Sequence, residues 1–452
     1  MSSARADPMA PVSSVPQDQQ HIPAFEEMLA SVYRDNPQLK AERETLRTLD
    51  EHVSQASGAF RPTASINAEY GYAGVSDANE AWRYGDDRNL GLTITQPIYN
   101  AATNGQWHAS KDRVYAGRAA LTAAEQKVLM AAITAWMDVY EKGGLLALNG
   151  DNSGLTQSYF NATKQRYDAG DGTQTDLAVA ESRSASGEAR RAMAQSAYDN
   201  ALTAYERVTN MHGENVMLPP LPSNLPRSEA ETLELAKKNP DLQQADYQVD
   251  AAEHDIDTAD GARWPSVFLR GNVYDQTSPD LGLQSLRGDS ITINASLPLY
   301  QGGVEYSKER EAKIARDKSR YDSVTILRNV TDEARQAWSH LAAAQTIVND
   351  SDHAVDSCAH ALSGIDQEQK IGTRTLTEVL DAQEQLLNAR ITALQARKEM
   401  HLSAYRLLAA VGRLTVEGLN LPTHIYNPVE HYDDVADRWF GTSVEPAESA
   451  MH

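Results

Sequence analysis

Few residues in this chain are spaced for chemistry. His353 and His360 stand two helical turns apart, whereas a ligand pair on one helix face normally sits at i and i+4, so both are read as exposed surface. Cys358 is the single cysteine and has no partner for an intrachain disulfide. It is read as a small, buried, apolar helix residue. The acid pair Asp433-Asp434 could suggest a cation site, but an isolated pair of this kind is usually solvated. Gly-x-Ser-x-Gly, the phosphate-binding loop and His-Glu-x-x-His do not occur. We therefore expect no enzyme, no cofactor and no metal site. Glu378 and Asp381, at i and i+3, share one helix face. Taken alone they are ordinary helix acids.

The elements that must position these residues are unusual. Apolar residues make up 41% of the 452-residue chain, aromatics only 7%, and there are five Phe. Small apolar side chains favour close helix approach, so the composition suits a long helical bundle better than a globular enzyme. The net charge of −22 argues against nucleic acid, whose phosphates need Lys and Arg. A solvated acidic surface and an acidic conduit favouring cations both fit that charge.

The chain is also written twice. Asn36-Pro37-Gln38-Leu39 returns as Asn239-Pro240-Asp241-Leu242, and Ala56-x-Gly58-Ala59-x-x-Pro62 returns as Ala259-x-Gly261-Ala262-x-x-Pro265. Pro97-Ile98-Tyr99 answers Pro298-Leu299-Tyr300, Trp136 answers Trp338, and Gly170 answers Gly372. The spacing is about 200 residues throughout, as duplication of one structural unit requires. The division expected is a disordered segment 1–23, a first repeat 24–212, a proline-rich linker 213–228, a second repeat 229–412 and a tail 413–452.

Helical spacing predicts helices over 24–60, 102–168 and 175–208 in the first repeat, and over 229–263, 304–370 and 376–411 in the second. Gly143-Gly144 and the glycines at 150 and 154 are expected to loosen or divide the long first-repeat helix. Undivided, it would span on the order of 100 Å. Trp136 and Trp338 are read as packing anchors. Between the first and second helices of each repeat the period changes to two. Ile66, Ala68, Tyr70 and Tyr72 alternate with polar residues or glycine, as do Leu90, Leu92 and Ile94, then Val267, Leu269 and Val273, then Ile291, Ile293 and Ala295. Each stretch is about ten residues, enough for a tilted strand to cross a bilayer. The loops 74–88 and 277–288 are polar, as water-exposed hairpin loops should be. Tyr70, Tyr72, Tyr99, Tyr274 and Tyr300 suit an interfacial girdle or simple strand propensity.

A soluble half-buried sheet would alternate in the same way. If the strands do face lipid, four of them cannot close a barrel, and an open edge cannot stand in hydrocarbon. Two copies would give eight strands and a filled interior, and three would give twelve and a lumen. There is no apolar run long enough for a transmembrane helix. The first 23 residues lack the apolar core of a signal peptide, although Ala4-Arg5-Ala6 has the form of a cleavage site. An upstream signal missing from this sequence, and no N-terminal lipid anchor on cysteine, are the expectations.

Two hairpins, each between a shorter and a very long helix in a duplicated unit, resemble the TolC-like outer-membrane channel family of efflux and type I secretion. The matching residues are Asn-Pro-x-Leu at the head of each repeat, Pro62 and Pro265 before the first strands, Gln96-Pro97-Ile98-Tyr99, the run from Leu297 to Gly303, and the turn from Ile371 to Ala382. The resemblance covers about residues 24–412. It implies an α+β membrane protein: a trimeric twelve-stranded outer-membrane β-barrel, four strands per chain, continuous with a long α-helical coiled-coil tunnel in the periplasm. It further implies a Gram-negative outer-membrane location, in contact with lipid, and two kinds of partner. These are a periplasmic adaptor (membrane fusion) protein and an inner-membrane ABC, RND or MFS transporter.

By that resemblance the turns at Gly170 and Gly372 form the periplasmic tip. Arg374 would bond to Thr175 and Asp176 in a latch that opens when inner helices untwist. The family's latch tyrosine is replaced here by Gln369, so its second link should be weaker or different. Glu378 and Asp381 fall on the family's constricting acidic ring, which attracts cations. The missing lipid-anchor cysteine and the Gly-Thr-Arg turn lean towards type I secretion rather than lipoprotein ducts. A soluble, elongated coiled-coil scaffold with no transport role is the competing reading, and the cargo is not legible.

Overall fold

The computed structural model describes residues 25–76, 81–213 and 216–444. The expectations for residues 1–23 lie outside these. Helix α1 (Phe25–Asp35) and α2 (Pro37–Gly58) precede β1 (Thr63–Val75) and β2 (Arg83–Tyr99), after which come α3 (Ala101–Asp168) and α4 (Gln174–Thr209). The plan then repeats: α5 (Glu229–Ala236), α6 (Pro240–Gly261), β3 (Ser266–Ser278), β4 (Leu283–Ser296), α7 (Val304–Lys370) and α8 (Leu376–Ala410). A short α9 (Glu430–Val435) lies in the tail.

Three expectations need correction. The first helix of each repeat is broken in two, because an asparagine in extended conformation starts a new helix there. The Asn36 carboxamide oxygen accepts from the amides of Gln38 and Leu39 at 2.9 and 3.3 Å, and that of Asn239 from Asp241 at 2.9 Å. A proline follows each at the first helical position, where its missing N–H costs nothing. Conversely, α3 runs unbroken for 68 residues. Gly144 sits where a neighbouring helix presses close, since an added Cβ would lie 2.7 Å from the Leu394 side chain, whereas Gly150 and Gly154 stand in open space and the helix passes through them unbroken. Finally, the strands are longer than ten residues, at 13, 17, 13 and 14, and they extend into both expected loops.

The four strands form one antiparallel sheet in the order β1-β2-β3-β4. Register places Ile66 opposite Leu92, and Leu92 opposite Val273, while Leu269 faces Ile293 and Gly271 faces Ile291. Directly opposed residues share a sheet face, so these make one apolar face. The other carries Ser65, Thr93, Asn272 and Ser290 in one row, with Thr93 Oγ1 donating to Asn272 Oδ1 at 3.0 Å. Ile66, Ile291 and Ile293 are 74–79% exposed. The outer edges of β1 and β4 have no paired strand among the described residues.

Below the sheet, α3 lies between α2 and α6, and α6 lies between α3 and α7. The main core gathers Met28, Leu29, Leu46, Leu129, Ile133, Met137 and Tyr205 around Trp136, whose indole N–H donates to the Met217 carbonyl at 2.9 Å. Trp338 packs half-buried on a second, smaller core. The tail is ordered where it fills the first core with Leu414, Val416, Leu421 and Tyr426. There the half-buried Glu125, its carboxyl raised by desolvation, accepts from the Val416 amide at 2.6 Å. Among the described residues no helix is long and apolar enough to cross a membrane.

Candidate functional site at the helical tip

The far ends of both helical hairpins turn through a glycine. Gly170 (φ +85°) and Gly372 (φ +81°) hold the left-handed conformation that side chains resist. Each turn closes alike: Gly170 N donates to Tyr167 O at 2.9 Å, and Gly372 N to Gln369 O at 2.9 Å. A threonine then starts the next helix. Thr173 Oγ1 accepts from the Asp176 amide at 3.0 Å. Thr375 forms a capping box with Glu378, whose Oε2 accepts from the Thr375 amide at 2.8 Å.

That capping box decides where Arg374 goes. Glu378 is folded back over the turn, so its Oε1 accepts from Arg374 Nη1 at 2.7 Å, while Glu368 Oε2 accepts from Arg374 Nε at 2.8 Å. The backbone and hydroxyl of Thr375 together with Arg374 lower the Glu378 carboxyl to about 2, and the two carboxylates raise the Arg374 guanidinium. Within the chain, Arg374 therefore grips its own turn and not Thr175 or Asp176. The Asp176 carboxylate accepts from Thr173 Oγ1 at 2.7 Å. Gln369 contributes its backbone carbonyl to the turn.

Asp381 has a partner that sequence reasoning missed. Arg183 on α4 donates from Nη2 to Asp381 Oδ1 at 2.7 Å and from Nη1 to Glu384 Oε2. Arg190, two turns further along α4, donates to Glu384 Oε1 at 2.8 Å. Arg190 and burial act oppositely on the Glu384 carboxyl, and Arg190 prevails, lowering it. The available signal was the matching periodicity: Arg183 and Arg190 at i and i+7 after one turn, Asp381 and Glu384 at i and i+3 after the other.

The remaining candidates stay apart from the tip. His353 and His360 are exposed on α7, and Asp433 and Asp434 are exposed on α9. Cys358 is free and only half-buried, contrary to the fully buried residue expected. Among the described residues no group of His, Cys, Asp and Glu could hold a metal.

The architecture and the sequence each find outer-membrane proteins. The family model "Outer membrane efflux protein" matches residues 29–210 and 233–413. The chain is 29% identical to the outer membrane efflux protein BepC of Brucella suis biovar 1 (strain 1330), over 91% of this chain and 90% of BepC. It is 24% identical to the outer membrane protein TolC of Escherichia coli (strain K12), over 87% and 84%. Its fold matches the crystal structure of the Campylobacter jejuni CmeC outer membrane channel with a TM-score of 0.79, at 15% identity over 96% and 98% of the two chains. Two matched repeats spanning most of the chain, with a membrane-length sheet above a helical shaft, establish that this protein belongs to the outer membrane efflux protein family, as a non-enzymatic TolC-type channel of the Gram-negative outer membrane.

Proposed function

We propose that three copies close into a duct serving type I protein secretion or tripartite small-molecule efflux, gated at the helical tip. One observation carries the reading. Repeat symmetry pairs the α3–α6 seam with a seam between α7 and α2, but among the described residues of a single chain α7 and α2 form no comparable seam. Gly261 shows the difference: an added Cβ would lie 2.6 Å from Ala101 C at the head of α3, whereas around Gly58, its repeat mate, nothing lies within 4 Å. A neighbouring copy's α7 fills that space, and β4 then pairs with the neighbour's β1. Twelve strands leave a lumen where eight would not.

In such a ring Arg374 is the residue that reaches Thr175 and Asp176, on the first turn of a neighbouring copy. Binding of a periplasmic adaptor and an ABC, RND or MFS transporter would shift α7 and α8 and release it. A charge-assisted contact suits this role, being directional and of moderate strength. Glu378 and Asp381 line the aperture. Purified protein in planar bilayers tests this. Wild type should give narrow, cation-preferring channels, and Arg374→Ala should raise single-channel conductance. A conductance unchanged by that substitution would remove Arg374 from the gate, and a monomer in detergent would remove the duct.

A further inference from the structure

We infer that Arg183 and Arg190 clamp α8 to α4 within each protomer and set how much acid charge faces the aperture. The proposal rests on the channel reading above and names a second restraint, distinct from Arg374. The geometry is a two-by-two lattice. Arg183 spans Asp381 and Glu384, and Arg190 takes the second oxygen of Glu384. Two cations meet two anions on helices that otherwise touch sparsely. Behind the clamp, α4 is seated firmly on α3. A Cβ at Gly187, between the two arginines, would lie 2.8 Å from Thr156 Oγ1 and 3.4 Å from Ser153 Cα. Ser153 Oγ donates to Glu188 Oε1 at 2.6 Å, and Ser184 Oγ to Gln157 Oε1 at 2.7 Å. The arginines thus project from a fixed pair, α3 and α4, onto the helix that must move if the tip opens. Beside them Gln383 Oε1 is buried with no hydrogen-bond partner, so among the described residues the two arginines supply the polar contacts between α4 and α8 in this crevice.

Two consequences separate a charge clamp from mere packing. Removing the cations should loosen α8, and it should also free Asp381 to add negative charge at the aperture. Arg183→Gln with Arg190→Gln should raise open probability about fivefold, the scale expected when several part-exposed ion pairs are removed together. It should also strengthen cation over anion permeability. Simple loosening would widen the aperture and weaken that preference. The reversed set Arg183→Glu, Arg190→Glu, Asp381→Arg, Glu384→Arg should return open probability towards wild type. Arg183→Lys with Arg190→Lys keeps charge, loses the fork and should fall between. All variants are measured as purified full-length protein in planar bilayers beside wild type. Wild type that fails to conduct sinks the channel reading. Conducting wild type with an unchanged, or less cation-selective, Arg183→Gln/Arg190→Gln variant overturns the clamp, as does a reversed set that conducts no more like wild type than the double variant.

Discussion

Helices α3 and α7 occupy the same place in the two repeats and are almost equal in length, at 68 and 67 residues, yet their surroundings differ. α3 is buried on several sides, with Val128, Leu129, Ile133 and Met137 in the core. α7 leaves Ile314, Val324 and Ile347 in the open. Trp136 and Trp338 set the alignment, and under it Ala119 on α3, 6% exposed, answers Tyr321 on α7, 75% exposed. Duplication has thus given one copy of the shaft a home inside the chain and left the other facing outward. Exposed aromatic and branched residues on a long helix cost solvation and mark a contact surface. In the duct proposed above, α2 of another copy covers that face.

The sharpest way to break this comparison is to charge the bare face. Ile314→Glu with Tyr321→Glu should abolish the trimer while leaving helicity by circular dichroism unchanged, with mass read by light scattering in detergent. A single charge in the core, Ile133→Glu on α3, should unfold the chain instead. If the α7 variant stays trimeric, that face is not the interface.

A smaller effect tests the buried side. Lys398 on α8 reaches α3, donating to Asp138 and Glu141 at 2.6 Å each. Burial raises the Glu141 carboxyl, but Lys398 and Lys142 outweigh it and leave it lowered. Lys398→Ala leaves the buried Glu141 carboxylate with Lys142 as its one lysine partner and should cost about 2–3 kcal/mol by thermal denaturation. A loss near zero would mean water or Lys142 compensates.

Next come the paired glycines. Gly261→Ala forces a Cβ against the backbone at the head of α3 and should cost about 1–2 kcal/mol of chain stability. Gly58→Ala should leave the isolated chain unaffected and weaken only assembly. Equal effects on chain stability would erase the asymmetry between the repeats.

The smallest effect concerns pH at the tip. Glu378 is held down to about 2, below the ordinary carboxylate range. Its hydrogen bonds and ion pair therefore contribute fully above that range and disappear as pH falls through about 2. Cation preference should persist between pH 7 and 4 in an Asp381→Ala background. An early loss near pH 5 would show the capping box open in the assembled channel.

Much of this was legible beforehand because the signals were periodic. Alternation located all four strands, and recurrence of Gly170 as Gly372 located both turns. The strand ends were not legible: Asp86 and Arg88 lie within β2, since beyond the bilayer a strand has no need to be apolar. The helix breaks were present in the repeated Asn-Pro pair, which works as a cap and not merely as a mark of duplication. The spacings of Arg183 and Arg190 and of Asp381 and Glu384 were in the sequence, but the partners lie about 200 residues apart on different helices, and one-dimensional spacing cannot report a distance between helices.

The junctions that lead from the sheet into the two long helices, α3 and α7, are built differently. β2 ends at Tyr99, Asn100 caps α3 by accepting from the Ala102 amide at 3.1 Å, and the helix begins at once. Between β4 and α7 lie residues 297–303, ending in Gly302 and Gly303, both with positive φ. Under the gating proposed above, torque applied to α7 from below would meet that glycine pair before it reached the membrane, and the collar could keep its seal while the shaft turned.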